Sequence, residues 1–247
     1  MRAPVNTIAA PLFPTGLPWI NSSEQSIIQR GRPMLVEFWD FCRPNSLRTL
    51  PYLKAWHERY SPDGLRVIGV HCPGFEISRG EQRVAEAVAR LGITHPVLVD
   101  DELVLWREYE NQGWPARYLF DGHARLFEYH YGEGAYTDTE LAIQQLLGVT
   151  RQPLDPLRRE DAPGAVLAPQ TADQDGPYCG PYEAGGVWVV LDGEGEVRAN
   201  GSALQIRHPG AYLVIEHERH TEGVLQFDLS PGLRCLATCF TPGLAGT

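Results

Sequence analysis

The sequence predicts two domains. The first, over residues 1–150, is an α/β domain with a mixed central sheet and helices on both faces. The second, over 177–247, is a small all-β, sandwich-like domain. Three observations carry this. Short apolar runs alternate with amphipathic segments up to about residue 147. Residues 151–176 contain Pro153, Pro156, Pro163 and Pro169 and no hydrophobic period, so they read as a linker. Beyond them, short apolar runs recur at regular spacing with Gly, Asn, Pro or Ser between them, the pattern of a sandwich.

Taken in order, residues 1–30 are rich in Pro, Ser and Asn and form an irregular lead-in. Met34 to Trp39 is apolar and follows Gly31-Arg32-Pro33, so it reads as a strand. A helix is expected from Ser46 to Tyr60, with Leu47, Leu50, Leu53 and Trp56 along one face and Pro51 as a source of a kink. Gly64 to His71 is a second buried strand, and Gly80 to Leu91 a helix with Val84, Val88 and Leu91 inward. Pro96 to Asp100 is a short strand, and Leu103 to Tyr109 a helix. Ala116–Phe120 and Ala124–His130 form a hairpin across Asp121-Gly122. Thr137 to Leu147 closes the domain, with Thr137 as N-cap and Glu140 completing a capping box. Six further strands are expected, over 187–191, 196–199, 203–207, 211–216, 224–229 and 233–240.

Composition limits the function classes. A net charge of -10 argues against non-specific nucleic-acid binding and against an anionic membrane surface. No apolar run is long enough for a transmembrane helix. Met1 to Thr7 lacks a basic start followed by an apolar core, so no signal peptide is expected and the protein is read as cytoplasmic. The five cysteines, at 42, 72, 179, 235 and 239, form no disulfide framework and no Cys-x-x-Cys pair. Cys235 and Cys239 are expected on one face of a strand, as core residues rather than as metal ligands beside His208, His217 and His220. Asp100-Asp101-Glu102 reads as a solvated turn, and Gly193-Glu194-Gly195 as a hairpin turn. No phosphate-binding glycine motif is present, and no cofactor is implied.

The informative stretch runs from Val36 to Arg48: a buried strand, a tight turn containing Cys42-Arg43-Pro44-Asn45-Ser46, then a helix. Phe38-Trp39 with Leu47-Arg48-Thr49-Leu50-Pro51-Tyr52-Leu53 resembles the strand and helix around the reactive turn of the TlpA/DipZ-like thiol–disulfide oxidoreductases of the thioredoxin superfamily. Val67-Ile68-Gly69-Val70-His71 with Pro73 and Phe75 is similar to that family's next strand and loop. Asn111-Gln112-Gly113-Trp114-Pro115-Ala116-Arg117 resembles its cis-proline segment, and Gly132-Glu133-Gly134-Ala135-Tyr136 its glycine-rich stretch. The match spans residues 15–147. Tyr178-Cys179-Gly180 and the strands after it are similar to the β-rich domain that follows in some DipZ-type members.

The resemblance implies a thioredoxin-like fold, and it raises a difficulty. The family's chemistry needs a thiolate at a helix N-terminus and a resolving thiol three residues on. An ungapped alignment puts Arg43 and Ser46 on those positions, and neither can exchange a disulfide. A shifted alignment makes Cys42-Arg43-Pro44-Asn45 a Cys-x-Pro-Cys turn whose last Cys is Asn. Cys42 would then be a lone nucleophile beside Arg43, for a monothiol reductase or a one-Cys peroxidase. Cys72 is a third option, as a redox partner of Cys42. Trp39, Trp114 and Pro115 are the candidate substrate-binding residues, because the family's cis-proline edge pairs with an extended peptide. The expected partner is a protein or peptide. A binding module acting through the β domain is the remaining alternative.

Overall fold

The computed structural model describes residues 7–27 and 29–246. Residues 1–6, which include most of the segment read above for a signal peptide, lie outside the described residues. The chain divides into two compact units, residues 1–40 with 45–157 and residues 41–44 with 158–247.

The first unit is built on a six-stranded sheet in the order β1-β4-β3-β2-β5-β6. Its strands are β1 (Trp19–Ile20), β2 (Met34–Trp39), β3 (Arg66–His71), β4 (Val97–Val99), β5 (Ala116–Phe120) and β6 (Leu126–Tyr131). β2, β3 and β4 run parallel, and β1, β5 and β6 are antiparallel to their neighbours. All six residues of β2 are buried, as a central strand requires. The helices are α1 (Pro44–Tyr60), α2 (Glu81–Arg90), α3 (Val104–Glu108) and α4 (Tyr136–Leu147). Alternation along β2 separates two cores. Val36 and Phe38 face a cluster with Leu105 of α3, and Leu35 faces one with Leu53 and Trp56 of α1 and Ile143 of α4. The expected order of elements holds, with β1 added at one edge.

α1 begins with Pro44, whose fixed φ suits a first helical turn, and it continues through Pro51. The capping box expected at Thr137 is not formed. α4 starts at Tyr136, after Ala135 in a left-handed conformation (φ 50°) with no side-chain cap. Glu140 is instead buried and accepts from Tyr60 Oη (2.6 Å), Trp56 Nε1 (3.3 Å) and the Leu154 amide (2.9 Å). Two buried donors and one partly buried amide outcompete a local cap. Asp100 is likewise not a solvated turn residue. It is fully buried, and its carboxylate accepts the Val104 and Trp106 amides at 2.7 and 2.9 Å, supplying the first turn of α3 with acceptors.

In the second unit, two short strands, β7 (Leu167–Ala168) and β8 (Gln174–Asp175), lie in the stretch read as a linker. They are followed by β9 (Gly180–Gly193), β10 (Gly195–Ala199), β11 (Ser202–Ile206), β12 (Gly210–Leu225), β13 (Phe227–Leu229), β14 (Leu233–Thr241) and β15 (Gly243–Leu244). A four-stranded sheet β12-β9-β14-β8 and a three-stranded sheet β11-β10-β13 share a core that includes Val187, Val189, Leu191, Val197, Ile206 and Phe227. β7 and β15 pair with each other. The strands expected over 211–216 and 224–229 do not match separate elements. β12 runs through the gap with register shifts between Leu213 and Ile215 and between Glu216 and Thr221. A bulge in β14 between Cys235 and Ala237 also overturns the shared face expected for its two cysteines. Cys235 pairs with Leu191 on the core side, and Cys239 pairs with Trp188 on the other. One extra residue reverses the alternation beyond it.

Candidate functional site

β2 delivers Trp39 and Asp40 to the turn that enters α1. Asp40 is fully buried, and its Oδ2 accepts the Gly74 amide (2.7 Å) and the Ser78 hydroxyl (3.2 Å). His71 Nε2 lies 3.5 Å from Asp40 Oδ1, which ties the end of β2 to the end of β3. The Asp40 amide donates to Ser46 Oγ at 3.2 Å, and Ser46 is 1% exposed. The hydroxyl at the second thiol position of the ungapped alignment therefore closes the turn. Cys42 is 0% exposed, Pro44 is buried, Arg43 is partly buried and Asn45 is exposed.

Cys72 follows β3 and is also fully buried. Its thiol lies 3.6 Å from Asp100 Oδ2. Burial, then Asp100, Asp40 and Asp101, push its pKa well above that of an ordinary thiol. Cys72 therefore stays protonated and is a poor nucleophile. Neither Cys42 nor Cys72 is in a disulfide.

The Trp114–Pro115 peptide bond is cis. Phe38 pairs with Ala116, so continuing that antiparallel register sets Pro115 opposite Trp39, at the end of the sheet where the turn begins. Trp114 Nε1 donates to the Cys72 carbonyl (2.9 Å), and its ring lies 4.4 Å from Trp106. The Pro115 carbonyl accepts from the Gly132 amide at 2.8 Å. Trp39, Trp114, Pro115 and Cys72 are thus brought to one end of the sheet.

Sequence reasoning missed an ionisable pair beneath this end. Glu37 and Arg117 are direct partners across β2 and β5, at 1% and 0% exposure. Arg117 Nη2 donates to the Gly134 carbonyl (2.6 Å), and its guanidinium lies over the Tyr136 ring at 5.0 Å. Burial pushes the Glu37 carboxyl up to about 8, although Arg117 opposes this. The signal was present in the sequence: one Glu in Met34-Leu35-Val36-Glu37-Phe38-Trp39 and one Arg in Ala116-Arg117-Tyr118-Leu119-Phe120 each interrupt an apolar run. Arg48 Nε also pairs with Glu133 at 2.8 Å, fastening the first turns of α1 to the loop after β6.

The parallel β2-β3-β4 core, the antiparallel β5-β6 pair and the proline segment beside the strand–turn–helix define a thioredoxin-like fold. A solution structure of a thioredoxin-like protein in the oxidised form aligns with a TM-score of 0.50 at 25% identity, covering 57% of this chain and 95% of that one. A crystal structure of a thioredoxin-like superfamily protein aligns at 0.52 and 20% identity, covering 58% and 99%, and supports the fold. DipZ of Mycobacterium tuberculosis is 32% identical over 203 residues, which are 76% of this chain and 29% of DipZ. The chain thus spans less than a third of that relative. The thiol-disulfide oxidoreductase YkuV of Bacillus subtilis is 28% identical over 135 residues, 53% of this chain and 89% of YkuV. No family model matches the chain. The chain belongs to the TlpA/DipZ-like proteins of the thioredoxin superfamily.

Proposed function

We propose that this protein holds an extended protein or peptide segment beside Trp114–Pro115 and does not exchange dithiols. In this reading Arg43-Pro44-Asn45-Ser46 stands where the family carries Cys-x-x-Cys. The observation that carries it is the state of the turn: the Ser46 hydroxyl accepts the Asp40 amide, so the position three residues after Arg43 holds a hydrogen-bonded hydroxyl and no thiol. Cys42 has no second thiol within the turn, so a dithiol cycle there lacks its resolving sulfur. The neighbouring indoles of Trp106 and Trp114 offer an apolar platform next to a backbone edge, a combination suited to extended peptides.

The test is insulin reduction by the full chain with dithiothreitol as electron donor. The expected rate equals the dithiothreitol background, and Cys42→Ser leaves it unchanged. Turnover above background that Cys42→Ser abolishes would overturn the reading in favour of a monothiol enzyme. Fluorescence anisotropy of a library of dye-labelled extended peptides completes the test, with binding expected to weaken at least tenfold in Pro115→Ala.

A further inference from the structure

A second titratable cluster lies in the first unit, on residues that the proposed peptide site does not use. His57, in the last turn of α1, faces His95, in the connection from α2 to β4. Their ring centroids are 5.7 Å apart. Lys54, one turn before His57, donates its ammonium to the Leu91 carbonyl at the end of α2 (2.8 Å). Beneath them is Gly69 of β3. A methyl group there would come within 2.9 Å of Trp39 Nε1 and 3.4 Å of His95 Nε2, so the indole and the imidazole close over the space glycine leaves. His95 is 1% exposed. His57 Nδ1, His95 Nδ1 and Trp39 Nε1 are buried without a hydrogen-bond partner among the described residues.

The groups that face His95 are few. α1 contributes Lys54 and His57, β2 contributes Trp39, and β3 contributes Gly69. The lead-in contributes Asn21, whose side-chain amide donates to the Ile93 and His95 carbonyls at 2.8 and 3.2 Å. His71, two residues along β3, packs on Trp39 and faces Asp40. Among the described residues, none of the groups facing His95 is a carboxylate. Burial, then His57 and Lys54, pull the His95 imidazole down to about 3. Burial also lowers His57. A proton taken up here would sit against an existing ammonium with no counter-charge, in low dielectric.

We propose that His57, His95 and Lys54 form an acid-released latch between α1 and the α2–β4 connection, closed at neutral pH and opened by protonation of the imidazoles. Opening frees residues 91–96 from α1, while β2, β5 and β6 remain paired. Each imidazole takes its proton from solvent as the corner separates and regains an ordinary affinity for it.

Hydrogen exchange of the full chain, read by mass spectrometry at pH 7 and pH 5 and corrected for intrinsic rates, tests this. The Leu91 and Ile93 amides donate to Ala87 O and Val88 O in the closed corner and report its opening. One imidazole with pKa near 6.5 when open and about 3 when closed raises the opening constant about 25-fold over that interval. Amides of Ala116–Phe120 are expected to stay unchanged. His95→Gln, which cannot be protonated, should cut the rise to under threefold. His57→Gln, at a half-buried position, leaves His95 in place and should reduce the rise by less than threefold. Equal acceleration of both regions, or a pH response that survives in both variants, would overturn the latch.

Discussion

Glu37 shows how one side chain sets a pH response. Its carboxyl titrates near 4.5 in an unfolded chain and is pushed up to about 8 in the folded one. The folded protein therefore holds a proton that the unfolded chain releases. The stabilisation is complete below pH 4.5 and is lost as pH rises through 8. Glu37→Gln has no proton to lose. Relative to wild type it should gain up to about 1.4 kcal/mol per pH unit across that window, read from urea midpoints between pH 5 and pH 8. A constant difference across the window would show that Arg117 keeps Glu37 ionised throughout. At this scale the sequence revealed its chemistry unevenly. The absence of any Cys-x-x-Cys pair was legible, because cysteine is defined by identity alone. The roles of Ser46 and Asp40 were not, because the Asp40–Ser46, Asp40–Gly74 and Asp40–Ser78 bonds join residues that only the folded backbone brings together.

At the scale of elements, α1 and α4 are joined by apolar packing and by an acceptor on α4, Glu140. It serves Tyr60 and Trp56 from α1 and the Leu154 amide beyond α4. Removing it takes the acceptor from two buried donors, Tyr60 Oη and Trp56 Nε1, and from the partly buried Leu154 amide. Glu140→Ala should therefore destabilise the protein by about 3 kcal/mol or more, and Glu140→Gln by less, since an amide oxygen still accepts. Chemical denaturation of the two variants checks the order, and equal losses would show that packing rather than hydrogen bonding dominates. The strands and helices of the first unit were legible because each carries its own apolar period. The start of α4 was misread because Thr137 and Glu140 satisfy the capping rule locally while Glu140 has better partners 80 or more residues away.

At the scale of the molecule, the two units report separately because their aromatic residues are divided. Of six tryptophans, Trp188 belongs to the second unit and Trp19, Trp39, Trp56, Trp106 and Trp114 to the first. Gly185 lies so close to the strand that follows β14 that a Cβ would come within 2.4 Å of the Pro242 carbonyl and 2.5 Å of Gly243 Cα, both backbone atoms. Gly185→Ala should lower the urea midpoint of the β unit by the equivalent of about 1–3 kcal/mol, followed through the fluorine resonance of 5-fluorotryptophan at position 188. An unchanged midpoint would mean that the β15 segment moves aside freely. The general character of this unit was legible from regular turn residues. Its strand lengths were not, because β12 passes through its irregularities by bulging rather than stopping. The bulge in β14 has a chemical consequence as well. It turns the thiols of Cys235 and Cys239 to opposite sides of the sheet. A trivalent arsenical, which grips neighbouring sulfurs in pairs, will find no such pair at Cys235 and Cys239.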